Sequence, residues 1–165
     1  MNRNRENRIY WNRGWTFFEE YTPALCEKET AGFPEGTEVE LPHTAAVTPL
    51  HYFDESIYQK HCAYRKYFVP EKDWEGKRIF LNIEAAGHSA RVYLNGILLT
   101  EHFCGYTAFR AELTAGIRQE MENVLLIEVD SRESQDLPPF GRAIDYMTFG
   151  GLYREVYLDI REKYC

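Results

Sequence analysis

The sequence predicts an all-β fold, a jelly-roll β-sandwich with little helix. Three observations lead there. Short stretches alternate apolar and polar residues with the period of a half-buried strand. Gly, Pro and Asn punctuate them at short intervals. Aromatic residues make up 15% of the 165 residues, with 12 Tyr and 10 Phe, and both types suit a pleated, half-buried surface. Spacing alone does not separate a jelly roll from an immunoglobulin-like sandwich.

The strands follow in order. Gly14 to Tyr21 is a first aromatic strand, and Val39 to Leu41 is a short second one stopped by Pro42. Ala63 to Val69 alternates and ends at Pro70, whose ring has no N–H to give a ladder. Arg78 to Glu84 places Ile79, Leu81 and Ile83 on one face. Ser89 to Leu94 and Ile97 to His102 flank Asn95-Gly96, the dipeptide that favours the positive φ angles of a type I′ hairpin turn. Tyr106 to Leu113 comes next, then Thr114 to Glu122, a stretch with room for one helical turn. Asn123 to Asp130 sets Leu125, Ile127 and Val129 on one side, and Tyr153 to Ile160 closes the set. Residues 1–8 are expected to be loosely ordered or disordered, and 9–165 to form one domain.

Two connections are long. Pro42 to Cys62 and Ser131 to Gly150 each run about 20 residues with little alternation, and loops of that length in a compact domain tend to be functional or disordered. Their aromatic content (Tyr52, Phe53, Tyr58; Phe140, Tyr146, Phe149) argues for packing over disorder.

Composition excludes some classes. The formal charge of −7 opposes nucleic acid, which demands a basic face. No run approaches the ~20 apolar residues of a membrane span. The polar N-terminus has no apolar core behind it, so no secretory signal is visible, and a cytoplasmic placement is expected. Cys26, Cys62, Cys104 and Cys165 lack C-x-x-C spacing and read as free thiols. The five histidines have no ligand-like spacing, so neither metal nor cofactor is expected. Glu84, Glu101 and Glu128 occupy alternating polar positions, which reads as a solvated face.

The most informative segment is Asp145-Tyr-Met-Thr-Phe-Gly150-Gly151-Leu-Tyr-Arg154. A carboxylate precedes a Gly-Gly turn that feeds the last strand. By residue type alone, Asp145 is more often a turn-capping acid than a ligand. Arg154 reads as a structural ion pair beneath the loop, and Arg142 as a solvated charge.

Several motifs, in order along the chain, carry a family resemblance: Asn12-Arg-Gly-Trp-Thr-Phe17, Leu41-Pro-His-Thr44, Tyr64-Arg-Lys-Tyr-Phe68 with Trp74-Glu-Gly-Lys-Arg78, Ala90-Arg-Val-Tyr-Leu-Asn-Gly96, Gly105-Tyr-Thr-Ala-Phe109 and Asn123-Val-Leu-Leu-Ile-Glu-Val129. Cys104 and Ala108 depart from the pattern. The set resembles the N-terminal sugar-binding domain of glycoside hydrolase family 2, which includes β-galactosidases, β-glucuronidases and β-mannosidases.

The resemblance implies that Asp145 is the substrate-binding carboxylate, accepting charge-assisted hydrogen bonds from sugar hydroxyls. It implies that His43 holds its loop together without a catalytic role. It also implies that the two catalytic glutamates of this retaining chemistry lie in a barrel domain reached through an immunoglobulin-like domain. Those downstream domains and carbohydrate are the expected partners. The chain alone is then expected to be inactive, with a β-galactosidase-like parent. An asparagine that the family contributes from the early loop has no counterpart between Pro42 and Cys62. The alternatives are a free-standing carbohydrate-binding module, with the 42–62 aromatics as its platform, and an interaction domain without a ligand.

Overall fold

The computed structural model describes residues 8–27, 32–51, 54–134 and 149–163. Among these, ten strands form two antiparallel sheets. They are β1 (Arg8–Tyr10), β2 (Trp15–Phe18), β3 (Thr37–Val39), β4 (His61–Phe68), β5 (Arg78–Ile83), β6 (Ser89–Leu94), β7 (Ile97–His102), β8 (Phe109–Glu112), β9 (Asn123–Asp130) and β10 (Val156–Arg161). The smaller sheet has the order β1-β10-β5-β8, and the larger β3-β2-β4-β9-β6-β7.

Alternation sends one side of each strand into the space between the sheets. Ile79, Leu81 and Ile83 of β5 and Val156 and Leu158 of β10 meet Trp15 and Phe17 of β2 there. Val92 and Leu94 of β6 and Leu125, Ile127 and Val129 of β9 complete that layer. Burial of this kind contributes roughly 1.5–3 kcal/mol per large side chain. It is the main force holding the sheets together.

The hairpin is formed as the sequence predicts: Asn95 has φ 52° and Gly96 φ 83°. Asn95 also accepts the Val124 N–H at 3.0 Å and donates to Asn123 Oδ1 at 2.9 Å, tying the turn to β9.

Two expectations, at residue 8 and at Glu128, are corrected, and one between them is met. Arg8 pairs with Asp159 in β1, so residue 8 belongs to the sheet, while residues 1–7 lie outside the described part. Thr114 to Glu122 holds no helix beyond the one turn expected. Its single turn is the Gly116 and Ile117 N–H groups converging on Leu113 O, at 3.0 and 3.2 Å, and its end is organised by buried Asn123, which bonds Arg118 and Met121.

Glu128 is buried at 3% exposure, not solvated. The turn Pro23–Cys26 lays Leu25 over Leu126, Phe18 and Ala63 in a second small core on the outer face of the large sheet. Glu128 sits beside that cover. It is satisfied by His61 Nε2 at 2.8 Å, Arg91 at 3.0 Å and Tyr93 OH at 2.8 Å.

Candidate functional site at the rim of the sandwich

Asp145 and Arg142, the loop residues singled out in the sequence, lie outside the described residues. The structure does describe both ends of their loop. Those ends meet at one corner of the sandwich.

The outgoing end is held by Ser131. Its Oγ donates to Tyr58 O at 2.6 Å and accepts the Lys60 N–H at 2.9 Å. Its own N–H bonds Lys60 O at 2.9 Å. The returning end arrives at Gly150, which lies directly against this hydroxyl: a Cβ at Gly150 would overlap Ser131 Oγ.

From there the returning chain is stitched to two neighbours. Ala45 N–H donates to Gly150 O at 2.9 Å and His43 N–H to Leu152 O at 2.8 Å. On the other side, Gly87 N–H donates to Gly151 O at 3.1 Å in an isolated antiparallel bridge. Gly151 has φ +98°, and a Cβ there would meet Tyr64 OH at 2.5 Å and Ala45 N at 2.9 Å. The Gly-Gly pair is thus required twice over, for a left-handed backbone at residue 151 and for close approach at both positions.

Tyr64 is the post beneath this seam. Its hydroxyl accepts the Leu152 N–H at 3.3 Å and lies 2.9 Å from His43 Nδ1. Burial raises the Tyr64 pKa and lowers that of His43. Both stay neutral near pH 7. The phenol oxygen accepts the Leu152 N–H, and its proton can go to His43 Nδ1 or to His43 O at 3.5 Å, so the tautomer of His43 sets the direction of the Tyr64–Nδ1 bond. His43 therefore acts on the loop through its backbone N–H and through Tyr64.

A second layer backs the seam. A Cβ at Gly105 would stand 3.6 Å from the Cα atoms of Gly87 and His88, and Tyr153 OH donates to Gly105 O. His88 is buried and its N–H bonds Asp130 O at 2.8 Å.

Arg154 follows along the chain. It is exposed, makes no ion pair among the described residues, and rests its guanidinium 5.8 Å from the Tyr153 ring centre. The binding-module platform is also reduced. Tyr58 is 4% exposed and serves the Ser131 anchor, while Tyr52 and Phe53 lie outside the described residues.

Tyr64, Ser131, Gly87 and Tyr153 were not singled out as site residues. Tyr64 looks like any alternating strand residue, and nothing local shows that its hydroxyl meets Leu152. No group of three or more metal-ligating side chains occurs among the described residues. Nor is any helix there long and apolar enough to cross a membrane.

Two antiparallel sheets around one core, with a loop stapled at the rim, define a jelly-roll β-sandwich domain. No family model matches the chain, but individual proteins do. It is 42% identical over 123 residues to a β-galactosidase of Thermoanaerobacter pseudethanolicus, covering 74% of this chain and 17% of that protein. A β-galactosidase of Thermoanaerobacterium thermosulfurigenes is 38% identical over 151 residues, 90% of this chain and 21% of that one. Among solved structures, Bacteroides uniformis β-glucuronidase 2, covalently bound to cyclophellitol-6-carboxylate aziridine, superposes with a TM-score of 0.78. The identity is 31%, over 92% of this chain and 17% of that one.

The chain belongs to glycoside hydrolase family 2, as a sandwich domain homologous to enzymes named β-galactosidase and β-glucuronidase. It spans about a fifth of the length of these curated relatives (17% and 21%).

Proposed function

We propose that this domain is the substrate-side sandwich of a retaining β-glycosidase of β-galactosidase type, with the hydrolytic carboxylates supplied by polypeptide outside it. Asp145, on the stapled loop, accepts hydrogen bonds from hydroxyls of the terminal sugar. The observation that supports this reading is the contact between Ser131 and Gly150. Rigidly joined ends cut the ordering cost of presenting a side chain from the segment between them. The identities of 42% and 38% to enzymes named β-galactosidase favour that substrate class.

One charge-assisted hydrogen bond nets about 1.5–3 kcal/mol, and millimolar affinity already needs about −4 kcal/mol. Asp145 alone therefore does not make the isolated chain a tight sugar binder. The deciding experiment is Asp145→Asn in the full-length enzyme, which keeps shape and removes charge. The expected result is a fall in kcat/KM of about 10- to 150-fold on an aryl β-galactoside, with Tm unchanged. An unaltered kcat/KM overturns the assignment.

A further inference from the structure

A row of paired residues crosses all four strands of the small sheet on its outer face. Tyr10 pairs with Tyr157, Tyr157 with Asn82, and Asn82 with Arg110. Directly opposed residues on one face stand about 5 Å apart, so the four side chains form a continuous strip. Period two adds Glu84 to the face that carries Asn82. A cavity of about 280 Å³ opens here, lined by Asn82, Glu84, Phe109, Arg110 and Tyr157 among others. That volume is near the low end of the roughly 300–1,000 Å³ of small-molecule sites.

The walls are fixed and the polar groups keep some bonding capacity. Arg8 lies over the Tyr157 ring at 4.5 Å, and His102 stacks on Phe109 at 4.3 Å and 14°. Arg110 is held over Phe80 at 4.9 Å. Among the described residues Arg110 and Glu84 make no ion pair within 4.0 Å and the Tyr157 hydroxyl makes no hydrogen bond, although Arg110 acts on Glu112 at longer range. The Asn82 amide nitrogen is used on Phe80 O at 3.2 Å, which leaves its oxygen to accept.

We infer that this cavity is a saccharide subsite for one neutral hexose ring, separate from the stapled loop and not dependent on the role of Asp145. Arg110 donates only, while ionised Glu84 and the Asn82 oxygen accept. Donor and acceptors thus stand side by side, with Arg110 also acting electrostatically on Glu112. Vicinal hydroxyls, each both donor and acceptor, satisfy both at once. The Tyr157 ring is the apolar wall on this face for sugar C–H groups, while the Phe109 ring turns inward against the core and His102.

The test is an amide NMR titration of the 165-residue chain with D-galactose and, separately, with β-1,4-galactobiose. Saturable shifts are expected at residues 82–84, 108–110 and 157, with Kd on the order of millimolar. Arg110→Ala, at an exposed position, should weaken them at least about tenfold, and Tyr157→Ala should abolish them. Asp145→Asn should leave them unchanged. Absence of saturable shifts in this group overturns the inference, as does their loss in Asp145→Asn or their persistence in Arg110→Ala. Should Tyr157→Ala lose its dispersed spectrum, Arg110→Ala decides alone.

Discussion

The Tyr64 hydroxyl stands 2.5 Å from where a Cβ on Gly151 would lie. The same hydroxyl takes the Leu152 N–H and reaches His43. One phenol therefore closes the seat of the Gly-Gly turn and ties three chain segments at the foot of the Asp145 loop.

Gly151→Ala should damage that corner. The φ of +98° is strained for any L side chain, and the nearest obstacles include backbone atoms, Ala45 N and His43 O, both at 2.9 Å. A non-glycine residue in such a region costs on the order of 1–3 kcal/mol before the clash is added. The expected Tm loss is about 4–8 °C, measured by thermal melting. An unshifted Tm would show that the seam can open without cost.

Glu128→Ala should be the costliest polar change on the outer face of the large sheet. It strips His61, Arg91 and Tyr93 of a common acceptor. Breaking a fully buried pair costs about 3–5 kcal/mol. Arg91, however, is 43% exposed and keeps Glu101 at 2.6 Å, which places the expectation at about 2–3 kcal/mol by urea unfolding. Glu101→Ala, at an exposed pair, should cost under about 1 kcal/mol.

Acid should weaken the fold through two imidazoles. Burial lowers the pKa of His43 and of His88 below the ordinary 6.5. The unfolded chain then binds protons on them at a higher pH than the folded chain does. Stability is full above the unfolded pKa, falls as pH drops through about 6.5, and levels off below the folded values. Tm measured between about pH 7.5 and 5 should decline, and His43→Gln should flatten part of the slope. A slope identical in that variant would remove His43 from the account.

The thiols should differ in reactivity. Hydrogen bonds from Thr107 and the Tyr106 backbone lower the pKa of Cys104, whereas burial raises that of Cys26 and pushes Cys62 up to about 12. The thiolate is the reactive form. In a Cys165→Ser background, iodoacetamide should label Cys104 first, Cys26 more slowly and Cys62 only on unfolding. Thr107→Ala should slow Cys104. Labelling of Cys62 at the Cys104 rate would mean that β4 opens readily.

Much of this protein was legible residue by residue. Alternation in Arg78–Ile83 and Asn123–Asp130 and the Asn95-Gly96 turn give strand bounds that the sheets reproduce to within a residue. Side-chain period and turn chemistry are local properties, so they survive in the sequence. The motif order from Asn12 to Val129 likewise points to the family that the relatives show.

What the sequence left open depends on contacts between distant segments. Strand β1 is too short to signal itself and exists because β10 offers an edge to pair with. Glu128 looks solvated until Pro23–Cys26 folds over its neighbours. The meeting of Gly150 with Ser131, the post at Tyr64 and the row from Tyr10 to Arg110 arise from register and close approach between strands far apart in the chain. Pattern and composition determined the kind of fold. Which polar groups share a corner was decided only when the two sheets closed on their common core, because burial and pairing are properties of the assembled chain.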